Sequence, residues 1–373
     1  MGAGPAAIVL TPYAVDPVFV RGGAQRVAAE LCDRLTELGW TVQVIECLAW
    51  RDTIDSEESF VAAMAGHPAT TRSWRDPAPA TAISAEDTGE VVRDAQLVLV
   101  LDRAVGRLDT AAHRVLLLSN LVYDNERRAA AYRGHDAVWV PSEYLARLCR
   151  RTSVDVHVVP PALADSRCDA AAHEPLRTLD ERLTAAGVPR ERRLLFPHRT
   201  DPGKGLSTAL TALQHLLKED RWAVIAVRPA ESEGADVAAV VDEALQDAAA
   251  AGIAEHVFWA PWLPQPEVYC LYGLAGVTLM PTTLEEGFGL VAVESVTRGV
   301  PVVARPAGNL RLLAERFPGV YPADEVTEMV RAAAAVSGRP VPPEQRRAVC
   351  DAFSVTAQRA AVTAALAGAV SRV

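Results

Sequence analysis

Short apolar runs alternate with amphipathic helical patterns through the first part of the chain. An apolar run at 6–11 is followed by a helical pattern at 24–38 and by a second apolar run at 41–47. This order predicts a β-α-β unit with parallel strands. Later apolar runs predict four more strands, at 97–101, 115–118, 137–140 and 154–159. Because these runs are continuously apolar, they are typical of a parallel sheet with both faces covered.

The pattern weakens in two places, and these divide the chain. Residues 66–82 are rich in Pro, Ala, Thr and charged residues, which predicts an irregular excursion. Residues 162–192 contain no strand pattern and only a diffuse helical one. We therefore predict a first domain at 1–175, a second at 176–340 and a final helical segment at 341–373. A chain of 373 residues, 50% of them hydrophobic, is long enough for two separate cores.

A glycine-rich turn flanked by two carboxylates follows the predicted strand at 277–280. Glu286 precedes the turn at 287–289, and Glu294 lies inside the apolar helix that begins near Leu290. The first turn of such a helix presents unpaired N–H groups and positive dipole charge, so we predict an anion site for phosphate. A ligand diol would satisfy the carboxylate of Glu294 inside an apolar helix. Alternatively, Glu286 favours the helix N-terminus electrostatically and Glu294 pairs with a structural arginine.

A second strand-to-helix turn carries two cations. His198, Arg199 and Lys204 lie between an apolar run at 194–196 and an amphipathic helix at 206–217. The turn suits a diphosphate, because an arginine forks onto two oxygens while a lysine adds a mobile point charge. The alternative is a solvated turn with surface cations.

The motifs and their order resemble those of the retaining glycosyltransferases of family 4. That family carries two acids separated by seven residues, an arginine followed by Lys-Gly, a double glycine at the first helix, and Phe-Ser before the last helix. The matching residues here are Glu286 and Glu294, Arg199 with Lys204 and Gly205, Gly22 with Gly23, and Phe353 with Ser354. The resemblance implies an α/β protein of GT-B architecture, in which two Rossmann-like, doubly wound parallel-sheet domains face a central cleft. The first domain would bind the acceptor and the second the nucleotide-sugar, with the last helix crossing back to the first.

The resemblance also implies roles for single residues. Arg199 and Lys204 would bind the donor diphosphate, Glu286 would face the donor sugar, and Glu294 would accept hydrogen bonds from the ribose. Asn120 stands where many members have a histidine that touches the donor sugar. The other implied donor contacts are the turn residues Gly287, Phe288, Gly289 and Leu290, the helix start at Gly22 and Gly23, His198 in place of a family glycine, and Trp262 beside the nucleobase.

The expected activity follows from these roles. In retaining members the leaving diphosphate helps to deprotonate the acceptor on the same face of the sugar, so stabilising the diphosphate is most of the catalysis. The sequence contains no Asp-x-Asp motif. We therefore expect a metal-independent retaining glycosyltransferase without cofactor, which moves a sugar from a UDP-, GDP- or dTDP-sugar co-substrate to a hydroxyl of a small-molecule acceptor. Two alternatives stay open: a sugar-nucleotide epimerase on the same fold, and a non-catalytic sugar-nucleotide-binding protein.

Composition narrows the partners further. With 37 Lys+Arg against 47 Asp+Glu, the net charge of -10 argues against nucleic acid and anionic membranes as partners. Six cysteines without a Cys-x-x-Cys pair indicate neither a zinc cluster nor a disulfide framework. No apolar run approaches the ~20 residues of a membrane helix, and the N-terminus lacks a basic leader region. We expect a cytoplasmic protein. Asp124 and Glu126 are candidate contacts for a cationic acceptor; alternatively, they form an acidic turn at a helix N-terminus.

Overall fold

The structure is a computed structural model that describes residues 4–13, 15, 22–47, 67–76, 78–105, 108, 110–120, 131–163, 170–201, 203–229 and 235–370. The chain forms two compact units. The first unit comprises residues 1–162 together with 353–373, and the second comprises residues 163–352.

The first unit contains an eight-stranded sheet. Its strands are β1 (Ala6–Thr11), β2 (Thr41–Glu46), β3 (Ala69–Ser73), β4 (Thr81–Ile83), β5 (Leu97–Leu101), β6 (His113–Leu117), β7 (Ala137–Val140) and β8 (Asp155–Val158). Their order is β4-β3-β2-β1-β5-β6-β7-β8. The helices are α1 (Gly23–Glu37), α2 (Ala85–Asp94) and α3 (Glu143–Cys149). Successive residues of β1 enter different cores, Ile8 and Leu10 on one face and Ala7 and Val9 on the other, so the strand is apolar throughout.

The segment predicted as an irregular excursion contains two strands. β3 pairs antiparallel with β2, and β4 pairs antiparallel with β3, whereas the other strand pairs of this sheet are parallel. The prediction was wrong because most residues of these two strands are partly or fully exposed, so the strands carry no continuous apolar run. β4 is the edge strand of the sheet and is only three residues long, which is typical of edge strands.

The second unit contains a six-stranded parallel sheet. Its strands are β9 (Arg193–Phe196), β10 (Ala223–Val227), β11 (Val257–Ala260), β12 (Val277–Met280), β13 (Val302–Ala304) and β14 (Val320–Pro322). Its helices are α4 (Glu174–Ala185), α5 (Leu206–Leu216), α6 (Ala235–Ala250), α7 (Gln265–Leu271), α8 (Leu290–Thr297), α9 (Asn309–Arg316), α10 (Val326–Val336) and α11 (Pro343–Ala352). Leu194 and Phe196 pack into one core and Leu195 into the other, so both faces of the sheet are covered.

The strand order of the second sheet has a reversal that matters for binding. The order is β11-β10-β9-β12-β13-β14, so the chain leaves β9 toward one edge and returns beside it in β12 to continue toward the other. β9 and β12 are hydrogen-bonded neighbours, with Val277 beside Leu194. Their following loops therefore diverge to opposite faces and leave a crevice, which is the usual ligand site of open α/β sheets.

The unit boundaries differ from the predicted ones. Residues 163–175 belong to the second unit, where residues 170–172 contact α4 and α7. The final segment is two helices rather than one: α11 packs against α8 in the second unit, and α12 (Val355–Val370) packs against α1 and β8 in the first. Ser354 stands between them, and its Oγ accepts a hydrogen bond from the N–H of Ala357 at 3.1 Å.

Two further sequence expectations meet the structure here. Within the described ranges, no helix is long and apolar enough to cross a membrane. Of the described cysteines, Cys32, Cys47, Cys149 and Cys350 are free and Cys270 is disulfide-bonded; one disulfide is not the framework that the spacing argued against. Spacing along the chain does not show which cysteines the fold brings together.

Gln358 joins α12 to the rest of the first unit through two side-chain hydrogen bonds. Its side chain is 1% exposed, and its amide donates to Glu30 Oε2 and to the carbonyl of Pro160, each at 3.0 Å. Gln358→Ala would leave a carboxylate and a carbonyl short of a donor. We expect the free energy of unfolding of the first unit to fall by about 1–3 kcal/mol, measured by urea denaturation. Arg359→Ala, at the next and exposed position of α12, is the control; equal losses for the two variants would contradict this anchoring role.

Candidate functional site

The two motif-bearing loops follow β9 and β12, on the two sides of the strand-order reversal. Lys204 in the first loop and Glu286 in the second are in direct contact, with Nζ and Oε1 2.6 Å apart. Their side chains are 21% and 14% exposed, so the ion pair is largely withdrawn from solvent. The fold thus brings together two residues that lie 82 positions apart in the chain.

The backbone of the first loop is tied to the second loop through one carbonyl. The carbonyl oxygen of Gly203 accepts from the N–H of Thr283 at 2.8 Å and from the hydroxyls of Thr282 and Thr283, each at 3.2 Å. Gly205 adopts φ +89°, and a Cβ there would lie 2.5 Å from the carbonyl oxygen of Pro281. Only glycine permits this close approach of the two loops.

Arg199 lies at the other end of the first loop and is half exposed. Its guanidinium forks onto Asp201: Nε lies 3.1 Å from Oδ2, and Nη2 lies 2.9 Å from Oδ1 and 2.8 Å from Oδ2. Arg199 is therefore bound in a bidentate manner by a carboxylate of its own loop, and its role toward a diphosphate stays a prediction.

The glycine turn before α8 is held by the start of α9. The side-chain amide of Asn309 donates to the carbonyl of Phe288 at 2.7 Å, and its backbone N–H donates to the carbonyl of Glu286 at 2.8 Å. Gly308 adopts φ +59°, where a Cβ would lie 2.5 Å from the carbonyl oxygen of Glu286. Sequence analysis missed both positioning residues; the signal in the sequence was a Gly-Asn pair shortly after the apolar residues 302–304.

α8 begins at Leu290, directly after Gly289, which adopts φ +87°. No side chain caps the helix, and its first turn contains no acidic residue. Phe288 is buried, and Leu290 is half-buried. The helix start therefore offers backbone N–H groups and positive dipole charge beside the Lys204–Glu286 pair.

Glu294 lies in the interior of α8 and is 4% exposed. The hydroxyl of Tyr272 donates to its Oε2 at 3.0 Å. Beside this contact from a buried tyrosine, the pairing of Glu294 with a structural arginine stays the alternative drawn from the sequence. One carboxylate oxygen is thus oriented by the protein.

His198 and Thr200 are buried within the first loop. Burial, reinforced by the nearby charge of Lys204, lowers the pKa of His198 to about 3, so the imidazole is neutral at pH 7. Its Nε2 and the hydroxyl oxygen of Thr200 have no hydrogen-bond partner in the part of the chain that the structure describes. The ring packs edge-on against Phe196, with centroids 5.1 Å apart. A neutral, buried His198 brings no positive charge to a diphosphate.

The remaining predicted residues lie elsewhere. Trp262 is half-buried after β11, and Asn120 is exposed after β6 in the first unit. Gly22 precedes α1 in an extended conformation, and Gly23 is the first residue of that helix, which has no side-chain cap. Asp124 and Glu126 lie outside the described residues. The roles of all these residues stay predictions.

Asp102 is a buried carboxylate in an unusual backbone conformation, and sequence analysis did not single it out. It follows β5, is 2% exposed and adopts φ +55°, a left-handed conformation for a non-glycine residue. Its carboxylate accepts from the N–H and the hydroxyl of Ser119, at 2.6 and 2.5 Å. Burial raises its pKa, against the opposing hydrogen bonds from Ser119 and Tyr13. The available signal was an acid directly after a continuously apolar strand.

Comparison with known proteins agrees with this geometry. The sequence profile of the family "Glycosyl transferases group 1" matches residues 185–323, which include both loops. A D-inositol 3-phosphate glycosyltransferase of Streptomyces bingchenggensis is 32% identical over 188 residues, which cover 46% of this chain and 41% of the relative. A protein of the same name from Xylanimonas cellulosilytica is 34% identical over 177 residues, covering 46% of this chain and 39% of the relative. The chain thus spans less than half the length of these curated relatives.

Solved structures resemble the chain over nearly its whole length. A sucrose-phosphate synthase from Thermosynechococcus elongatus superposes with a TM-score of 0.66 at 16% identity, covering 99% of this chain and 100% of that one. Anabaena HepE in complex with UDP-glucose gives a TM-score of 0.67 at 15% identity, covering 97% and 99%. At such identities the likeness shows the fold. Together with the family match over residues 185–323, it confirms the resemblance to family-4 glycosyltransferases drawn from the motifs, and the chain has the GT-B fold.

Proposed function

We propose that the protein is a metal-independent retaining glycosyltransferase that moves a sugar from a UDP-sugar to a hydroxyl of a small polyol acceptor. The observation that carries the proposal is the contact of Lys204 with Glu286 at the strand-order reversal of the second sheet. It joins the cationic loop, the glycine turn and the start of α8 into one site. Such a crevice is where open α/β sheets bind nucleotides.

The diphosphate of the donor would bind to Lys204, Arg199 and the first turn of α8. During transfer the bond between the sugar and the diphosphate breaks, and negative charge accumulates on the leaving oxygen. Two cations and oriented N–H groups stabilise that charge. On the proposed path the acceptor oxygen bonds to the sugar carbon on the face that the diphosphate leaves, and its proton passes to a diphosphate oxygen.

Two carboxylates would bind the ribose and the transferred sugar of the donor. Tyr272 donates to Oε2 of Glu294, and the carboxylate would accept hydrogen bonds from the ribose hydroxyls. Glu286, which directly precedes the glycine turn, would accept hydrogen bonds from the sugar. Uracil is the favoured base because HepE, a structural neighbour, is described with UDP and with UDP-glucose. A polyol acceptor is favoured by the name of the curated relatives, D-inositol 3-phosphate glycosyltransferase.

The proposal is tested by product analysis. A thermal-shift screen of UDP-, GDP- and dTDP-sugars identifies the donor, because a ligand far above its dissociation constant raises the melting temperature. The selected donor is then incubated with a panel of cyclitols, cyclitol phosphates and sugars, and the anomeric configuration of the product is read by NMR. Transfer with retained configuration is expected. Donor epimerisation without acceptor, or binding without any turnover, would favour one of the alternative functions.

Glu294→Gln should weaken binding of UDP. The variant exchanges a charged acceptor for a neutral one, and hydrogen bonds to charged groups are worth about 1.5–3 kcal/mol. Isothermal titration should show this loss for UDP and a much smaller one for 2′,3′-dideoxy-UDP, which has no diol. Equal losses for the two nucleotides would mean that Glu294 supports the fold rather than the ribose.

Activity should survive chelation. Lys204, Arg199 and the N-terminus of α8 supply positive charge where other transferases place a divalent cation. Enzyme treated with EDTA and passed over a desalting column should release UDP at the untreated rate. A loss of turnover that magnesium or manganese restores would contradict metal independence.

A further inference from the structure

Both cations proposed for the donor diphosphate are already paired with carboxylates of the same unit. Arg199 forks onto Asp201 through contacts of 2.8–3.1 Å. Lys204 contacts Glu286 at 2.6 Å. A phosphate would compete with these carboxylates for the same guanidinium and the same ammonium.

We propose that Asp201 and Glu286 are internal anions that occupy the positions of the donor diphosphate in the free protein and give way when it binds. The inference rests on the proposed function, since it assigns the competing ligand of that same site. Asp201 thereby becomes a residue that sets affinity for the diphosphate, a role that the sequence motifs do not give it.

The geometry of Arg199 makes the competition direct. A guanidinium presents a planar fork that matches a carboxylate and a phosphate in the same way. While Nε and Nη2 donate to Asp201, that edge has no donor left for a phosphate. Arg199 is 54% exposed, so it is reachable by a ligand and its partner is readily exchanged.

The pair of Lys204 and Glu286 adds an electrostatic reason. A diphosphate brought to Lys204 would lie beside the negative carboxylate of Glu286, and like charges at close range repel strongly in a partly buried site. Glu286 must therefore leave the ammonium as the phosphate arrives. Once released, its oxygens are free to accept hydrogen bonds from the donor sugar, so diphosphate capture and sugar recognition become one event.

The surrounding backbone allows such an exchange without rearranging the loops. The carbonyl of Gly203 is fixed by Thr282 and Thr283, and the backbone of Glu286 is fixed by Asn309. The exchange therefore involves rotation of side chains on a fixed frame. It also predicts how the product leaves: Asp201 and Glu286 recapture the cations and displace the nucleoside diphosphate.

The test compares Asp201→Asn and Glu286→Gln with the native protein. Both variants remove the negative charge and keep the side-chain shape. Titration calorimetry at one fixed ionic strength would measure the affinity of UDP, of inorganic pyrophosphate and of uridine. Each variant should bind UDP and pyrophosphate about two- to fivefold more tightly, the range expected when an exposed or partly exposed ion pair no longer competes. Affinity for uridine, which has no phosphate, should not change.

Glu285→Gln is the matched control, because it removes the same charge from the adjacent, exposed residue. Asp201→Glu should restore the native affinity, since it returns a carboxylate to the loop. Asp201→Asn should also release UDP more slowly and show stronger product inhibition, which a merely structural residue would not produce. Melting temperatures of all variants establish that they are folded.

Two outcomes would overturn the inference in distinguishable ways. If the native protein binds UDP and neither variant binds more tightly than Glu285→Gln, the internal anions do not compete, and the proposed function stands. If neither UDP nor pyrophosphate binds to the native protein or to any variant, the proposed function fails together with the inference.

Discussion

The site depends on the way the chain reverses direction across β9 and β12. These two strands are neighbours in the sheet, but the connections that leave them run to opposite sides. The loops that follow them therefore begin side by side and then separate, as at a strand-order reversal of a parallel sheet. The cationic loop and the glycine turn grow from those two strand ends, and the contact of Lys204 with Glu286 is the point where they meet. Strand order thus decides which residues can act together, before any side chain is considered.

Glycine and threonine residues hold the two loops at a defined distance from each other. The close approach of Gly205 to Pro281, and of Gly308 to Glu286, leaves no room for a Cβ at either position. Thr282 and Thr283 then bind the facing backbone through hydroxyl groups. Small residues set how near the loops lie, and hydroxyl residues keep them there. The charged side chains therefore extend from loops whose carbonyl groups at Gly203 and Glu286 are hydrogen-bonded within the protein.

The sequence predicted the fold class and the two loops because both are local signals. Continuous apolar runs identify buried parallel strands, and glycines at turns identify backbone that must approach something closely. The comparisons confirm the resemblance to family-4 glycosyltransferases and the GT-B fold that these signals predicted. β3 and β4 were missed because polar strands gain their stability from pairing, here of β3 with β2 and of β4 with β3, which no local pattern reports. Asn309, Tyr272 and Asp102 were missed for a related reason: each acts through a partner that is distant in sequence, at 21, 22 and 17 positions.

The return of α12 to the first unit has a consequence for how the chain folds. The second unit is a continuous stretch inserted into the first, whose sheet ends at β8 and whose last helix arrives about 200 residues later. During synthesis the inserted unit has all of its residues before the first unit has received α12. Until then the carboxylate of Glu30 lacks the amide of Gln358, and the apolar residues of α1 and β8 that α12 covers face water. The inserted unit therefore has its complete sequence before the first unit does, although the first unit begins earlier, whereas tandem domains are completed in chain order during synthesis.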